Sequence, residues 1–247
     1  MFIIGRNPII EALRFNPSGI KRILILENPA DKKIKEIIKY AEKYDIVIER
    51  NTKIEFEKYF DKKNKSEGIS QGIAAEVSEF KYSSLNEVMD EISSKENPLI
   101  IILDEIQDPH NLGAIIRTGA ASGADAVIIS EKNSAGVNHT VIKSSSGAVN
   151  YIKIVQSNNI YKTILYLKEN SYRIIGTSLK ASKTHYDLDY SGRISVMFGN
   201  EGEGLRKNLL KLCDELIKIP INSKIESLNV SVAAGVILFE ALRQRTV

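Results

Sequence analysis

From residue 99 onward, short and almost unbroken apolar runs alternate with segments of helical pattern, and this alternation constrains the fold more than any other feature. Runs at 99–103, 126–130, 151–155, 173–177, 194–199 and 216–219 read as strands buried on both faces. Between and after them, 112–122, 140–145, 160–169, 205–212 and 231–245 read as helices. Strands separated by helices predict an α/β fold with a mainly parallel sheet covered on both sides. Such sheets hold their ligands beyond the carboxyl ends of the strands, so the loops that follow strands are where chemistry is sought.

The first third carries its own alternation. Asn7 as cap and Pro8 at the first turn predict a helix to about residue 15, with Ile9, Ile10 and Leu13 on one face. Strands are expected at 20–26, 46–49 and 73–77, and helices at 31–44 and 53–60. This is a small α/β domain spanning 1–77. The 62–71 stretch is polar and glycine-containing, as exposed loops are. Residues 78–98 are polar with one amphipathic patch at 85–92, the composition of a linker carrying a short helix, which leaves 99–247 as the second domain.

Composition narrows the function. Hydrophobic residues at 43% and charged residues at 26% are ordinary for a water-soluble globular chain. No apolar run approaches the ~20 residues that span a bilayer, and the start lacks a secretory pattern. The single cysteine, Cys213, fits a reducing compartment, so a cytoplasmic location is expected. Net charge is +3, and all the excess lies early: residues 1–81 hold 16 Lys/Arg against 13 Asp/Glu, whereas 82–247 hold 18 of each. Phosphate backbones attract such a surface, although a solvated lysine-rich face accounts for it equally well.

Three segments combine polar residues with strand-to-helix turns. The first is Asp108-Pro109-His110-Asn111-Leu112-Gly113-Ala114-Ile115-Ile116-Arg117-Thr118, where Pro109 and Asn111 supply helix-start chemistry. Asn111 and Arg117 stand out in a helix otherwise built of small and apolar residues. A cap and a surface arginine would explain either one alone. The second is Phe198-Gly199-Asn200-Glu201-Gly202-Glu203-Gly204-Leu205, a backbone-lined turn that can approach a ligand closely. Its spacing is not that of a dinucleotide site. Glu201 and Glu203 would repel a pyrophosphate, and they favour a positively charged ligand. The third is Ile219-Pro220 followed by Ser227-Leu228-Asn229-Val230-Ser231, where Ser227 and Asn229 are both good helix caps. His110, His139, His185 and Cys213 lack ligand spacing, so no metal is expected. Ser144 to Ser146 lack the elbow of a serine hydrolase.

These segments, in this order, resemble the SpoU/TrmH family of RNA ribose 2′-O-methyltransferases over nearly all of 99–245. Ile4-Gly5-Arg6-Asn7-Pro8-Ile9-Ile10-Glu11-Ala12-Leu13, Ser134-Ala135-Gly136 and Ser144-Ser145-Ser146-Gly147-Ala148 are similar to the subgroup that modifies a guanosine of large-subunit ribosomal RNA. The resemblance implies a ribosomal-protein-like RNA-binding fold at the front and a trefoil knot in the C-terminal domain. It further implies S-adenosylmethionine as cofactor, structured RNA as substrate (transfer RNA being the alternative to 23S ribosomal RNA) and a homodimer. Carried over residue by residue, it puts Asn111, Arg117, Glu201, Ser227 and Asn229 in the catalytic constellation. Thr177, Ser178, Leu179, Gly199, Asn200, Gly202, Ile219, Pro220 and Leu228 then hold the donor. The family assigns Arg117 to activating the 2′-hydroxyl. An arginine stays protonated at neutral pH, so the physical expectation is a phosphate-binding and alkoxide-stabilising role instead of proton abstraction. One departure is Ser223, where many members carry glycine; Asn222 is expected to accommodate the turn's unusual backbone angle. A non-catalytic RNA-binding protein of the same fold and a nucleotide-dependent oxidoreductase are the rival readings.

Overall fold

The computed structural model describes residues 2–26, 32–59 and 72–246. It contains two compact units, Met1–Lys81 and Tyr82–Val247.

The first unit runs β1 (Phe2–Ile4), α1 (Arg6–Phe15), β2 (Ile20–Leu26), α2 (Lys32–Lys43), β3 (Val47–Asn51), α3 (Lys53–Glu57) and β4 (Ile73–Val77). Its sheet has the order β1-β4-β2-β3, with β2 and β3 parallel and β4 antiparallel to both of its neighbours. Strand period two sorts the core: Ile23 and Ile25 face α1 and α2, while Leu24 packs with Phe56 and Ala74 on the other side. Arg22 ties β2 to both neighbours, at 3.0 Å from Glu49 and 2.7 Å from Glu76.

Two local expectations are corrected here. The α1 helix is entered from Gly5, with no side-chain cap, so Asn7 lies inside it and accepts from Lys33 Nζ at 2.8 Å. Pro8 is tolerated because the first-turn N–H groups have no intrahelical partner anyway. Strand β3 starts one residue late and runs to Asn51, where Thr52 closes a capping box with Glu55. The expected 62–71 loop, Asp31 and Phe60 lie outside the described residues.

The second unit continues with α4 (Leu85–Ile92), β5 (Leu99–Leu103), α5 (Pro109–Ala121), β6 (Ala126–Ser130), α6 (His139–Ser144), β7 (Lys153–Ser157), α7 (Ile160–Glu169), β8 (Arg173–Thr177), β9 (Lys183–Thr184), β10 (Ile194–Phe198), α8 (Lys207–Leu210), β11 (Glu215–Lys218) and α9 (Val230–Arg245). Of residues 78–98, expected to act as a linker, 82–98 belong to this unit and 78–81 to the first. Val88, Met89 and Ile92 of α4 are buried in its core, because the amphipathic patch needs an apolar partner.

The seven strands pair all in parallel, in the order β7-β6-β5-β10-β8-β11-β9. The chain steps outward from β5 through β6 to β7, then crosses back to β8, and β10 later inserts between β5 and β8. The direction of progression therefore reverses at the β5/β10 pair, the position where open α/β sheets leave a crevice. Ile100, Ile102, Ile128, Ile174 and Met197 pack against α4 and α7 on one face. Helices α5 and α9 pack against each other and α6 packs on α5. At Gly113 a Cβ would stand 1.9 Å from Ser144 Oγ, so only glycine lets α6 come this close. Boundaries moved where local pattern is weakest: β7 starts at Lys153, not 151, and the helix expected over 205–212 shrinks to Lys207–Leu210. Among the described residues, no helix is long and apolar enough to cross a membrane.

Candidate active site

Strand β5 ends in Leu103, and the chain turns through Asp104 and Glu105 toward α5. The cap of α5 is Asp108, whose carboxylate accepts from the His110 N–H at 2.9 Å, and not Asn111 as expected. The Asn111 side chain is thereby released for tertiary contacts. Its Nδ2 donates to Glu201 Oε1 at 2.7 Å, and its Oδ1 accepts from Asn229 Nδ2 at 3.0 Å. Asn229 is itself the cap of α9, with Oδ1 accepting from the Ser231 N–H at 2.9 Å and from Val232 at 3.4 Å. Three segments separated by 90 and 118 residues thus meet in one amide–carboxylate chain.

That chain borders a cavity of about 500 Å³ at the carboxyl ends of β8, β10 and β11. Its walls are the 177–180 loop after β8, the 198–205 loop after β10, and the segment from Ile217 to Val230 after β11. Apolar surface comes from Phe198, Leu205, Leu210, Ile217, Ile219 and Ile237, while Glu201, Glu203 and Glu226 supply carboxylates and Lys180, Lys207 and Lys218 ammonium groups. Gly199 is sterically obligatory. A Cβ there would sit 2.2 Å from both the Gly204 carbonyl carbon and the Leu205 nitrogen.

Of the residues singled out in the sequence, Thr177, Ser178, Leu179, Gly199, Asn200, Glu201, Gly202, Ile219, Ser227 and Leu228 line this cavity. Pro220 stands between lining residues without lining it, and Asn111 and Asn229 reach it through Glu201. Ser227 does not cap α9; Asn229 does. Arg117 is not brought into the group. Six residues along a helix leaves it about 120° around the axis from Asn111, on an exposed face. Neither Asn222 nor Ser223 adopts a left-handed angle. Asn222 instead closes the turn with its side chain, accepting from the Lys224 N–H at 3.0 Å, so glycine is not required there.

One ion pair beside the site was not anticipated: the fully buried Asp104 and its partner Arg206. The only sequence signal was an acidic residue directly after a buried strand. The Asp104 carboxylate raises the pKa of Arg206 and holds it firmly in its charged form. Cys213 behaves oppositely: burial pushes its thiol up to about 11, so it stays protonated and is no nucleophile near neutral pH. Among the described residues, no cluster of three or more His, Cys, Asp or Glu could hold a metal ion.

The Asn229 link is open to a direct check. Asn229→Ala removes a helix cap, and a loss of about 1 kcal/mol is expected, read as a fall in Tm of about 2–4 °C. Asn229→Asp keeps the capping oxygen but cannot donate to Asn111, so in thermal unfolding it is expected to stay within about 0.5 kcal/mol of the parent protein.

A cavity at the carboxyl ends of three neighbouring parallel strands, lined by apolar side chains, three carboxylates and three lysines, defines an α/β protein with a built ligand site. Comparison with known proteins gives the family. The SpoU rRNA Methylase family matches residues 98–239, and the RNA 2′-O ribose methyltransferase substrate-binding family matches residues 2–83. The chain belongs to the SpoU rRNA methylase family. It is 36% identical over 99% of its length, and 98% of the relative's, to the 23S rRNA (guanosine-2′-O-)-methyltransferase RlmB of Escherichia coli K12. Identity to RlmB of Pseudomonas aeruginosa is 35%, over 99% of this chain and 96% of the relative. The AdoMet-bound SpoU methyltransferase AviRb of Streptomyces viridochromogenes superposes with a TM-score of 0.71 at 23% identity, covering 100% of this chain and 90% of that one. An AdoMet-bound rRNA methyltransferase of Sinorhizobium meliloti gives 0.67 at 26% identity, covering 98% and 86%.

Proposed function

We propose that this protein transfers a methyl group from S-adenosylmethionine to the ribose 2′-hydroxyl of a guanosine in 23S ribosomal RNA. The observation that carries the reading is the cavity formed by 177–180, 198–205 and 217–230, which takes in two of the three segments that carry the family resemblance, the 108–118 segment standing outside its lining. Its chemistry fits the donor. Apolar walls suit an adenine, Glu201, Glu203 and Glu226 stand among the lining together with Lys180, Lys207 and Lys218, and Gly199 lets the Gly204–Leu205 backbone close the wall where a Cβ would collide.

The chain's own residues then have separate tasks. Thr177, Ser178, Leu179, Ile219 and Leu228 hold the adenosine part, and Gly199, Asn200 and Gly202 give the backbone wall. Pro220 stiffens the turn after Ile219. Asn111, Glu201, Ser227 and Asn229 orient the reacting ribose. A bound donor would supply the methyl group and take back the C–S electron pair, and the 2′-hydroxyl held by these residues would give up its proton to solvent. Arg117, permanently charged and exposed outside the cavity, takes the target phosphate of the bound RNA, and its stabilisation of the developing alkoxide requires the RNA to bring the ribose to it. Shape and phosphate contacts of the first unit grip the structured RNA, in the cytoplasm where ribosomes are assembled. Transfer of a labelled methyl onto separated ribosomal and transfer RNAs, followed by mapping, tests this reading. Labelling of transfer RNA alone would move the substrate, and labelling of neither by a donor-binding protein would leave a non-catalytic RNA binder.

A second copy of the chain is the proposed cover for α9. Val232, Val236 and Phe239 recur at helical spacing and remain 52%, 38% and 49% exposed. Apolar stripes of this kind mark interaction faces. Val236→Asp, which desolvates a charge at such a contact, is expected to weaken dimerisation by about tenfold or more, seen as a monomer in sedimentation at micromolar protein.

A further inference from the structure

The 199–205 wall of the cavity is tied down at both ends on two consecutive residues after β5. At its start, Asn200 Nδ2 donates to the Glu105 carbonyl at 3.0 Å. At its end, Arg206 Nε donates to both Asp104 oxygens at 3.0 and 3.1 Å, Nη2 adds a third bond, and the Arg206 N–H donates to Oδ2 at 3.3 Å. Arg206 Nη1 also lies 3.3 Å from Glu105 Oε1. Between these anchors the Gly204 N–H donates to the Asn200 carbonyl at 2.9 Å and closes the turn. Glu105 carries a left-handed φ of 57°, a strained angle for a residue with a side chain. It is held there from both sides: its N–H donates to Ser130 Oγ at 3.1 Å and its carbonyl takes Asn200.

Taking the Asp104 carboxylate out of water costs about what its pairing returns, so a buried pair of this kind adds little net stability. What it supplies is geometry, because a guanidinium fork fits a carboxylate in one orientation only. Neither Asp104 nor Arg206 lines the cavity. We infer that Arg206, locked on the buried Asp104, is a positioning residue for the methyl donor, fixing where residues 199–205 stand and hence where Glu201 meets Asn111. The inference rests on reading the cavity as the S-adenosylmethionine site.

Calorimetric titration of the full chain with S-adenosylmethionine separates the two claims. Absence of binding by the parent protein overturns the donor site itself, and the inference with it. Given binding by the parent, Arg206→Lys keeps a cation beside Asp104 but loses the fork. It is expected to weaken donor affinity and raise donor KM about tenfold, with kcat changed less than about threefold, as for lost uniform binding. RNA affinity is expected to stay at the parent value, while Tm falls by a few degrees because the buried Asp104 loses hydrogen bonds. Lys168→Met removes a different ion pair of the same unit, 2.6 Å from Asp214, and is expected to leave donor KM unaltered. The inference is overturned if Arg206→Lys binds donor within about twofold of the parent, a difference too small to count as a lost contact. A fall in kcat at unchanged KM also overturns it, as does a donor KM that tracks Tm equally in the Lys168 variant. Should Arg206→Lys fail to fold, Glu105→Gln decides, since it loosens the outer contact without unpairing the buried acid. About threefold weaker donor binding is then expected, and unchanged binding overturns the inference.

Discussion

Arg117→Ala is expected to cut methyl transfer by about 10²–10³-fold, the range seen when one group that stabilises developing charge is removed. Donor affinity should not move, because Arg117 does not line the cavity and stands on an exposed face of α5. Single-turnover transfer onto ribosomal RNA reads the first quantity and calorimetry the second. Arg117→Lys sharpens the point. It retains the positive charge but replaces a planar fork with a single ammonium, so only a small fraction of the rate should survive. Full activity with an unchanged pH profile in the lysine variant would remove the fork from the mechanism. A large loss of donor binding in the alanine variant would place Arg117 in the donor site instead.

Gly199→Ala is expected to abolish donor binding, weakening it by at least about 100-fold, equivalent to about 2.7 kcal/mol. The added methyl meets backbone, not a side chain: the Gly204 carbonyl carbon and the Leu205 nitrogen at 2.2 Å each. Backbone atoms cannot rotate away, so the 200–204 turn must shift, and with it Asn200, Glu201 and Gly202. Overpacking of this type costs about 1–3 kcal/mol of stability, which a large domain tolerates. The variant should therefore fold by circular dichroism yet show no heat with S-adenosylmethionine. Donor affinity within about threefold of the parent protein would mean that the 199–205 wall does not shape the site.

The strands β2, β5, β6 and β8 and the helix α7 were legible because each carries its signature within its own residues. Ile100 to Ile102 or Val127 to Ile129 are apolar at every position, as a strand buried on both faces must be. Capping was legible in kind but not in place. Asp108, Pro109 and Asn111 all suit a helix start, and which one caps depends on where the backbone turns. The answer, Asp108, left Asn111 free for Glu201 and Asn229. Asp104 and Arg206 were invisible for a related reason: an acid and an arginine 102 residues apart have no shared local pattern.

The alternation of elements, the α/β class and the turns that carry polar residues were properties of the sequence alone, because helical and strand periodicity are written over a few residues. Tertiary structure alone decided that β10 lies between β5 and β8, which brings three distant loops around one cavity. It also decided that Arg117, six residues from Asn111 on the same helix and about 120° around its axis, stands on an exposed face outside the cavity lining. Strand order and side-chain convergence are settled by which apolar faces bury one another across the whole unit, and no short stretch of chain records that outcome.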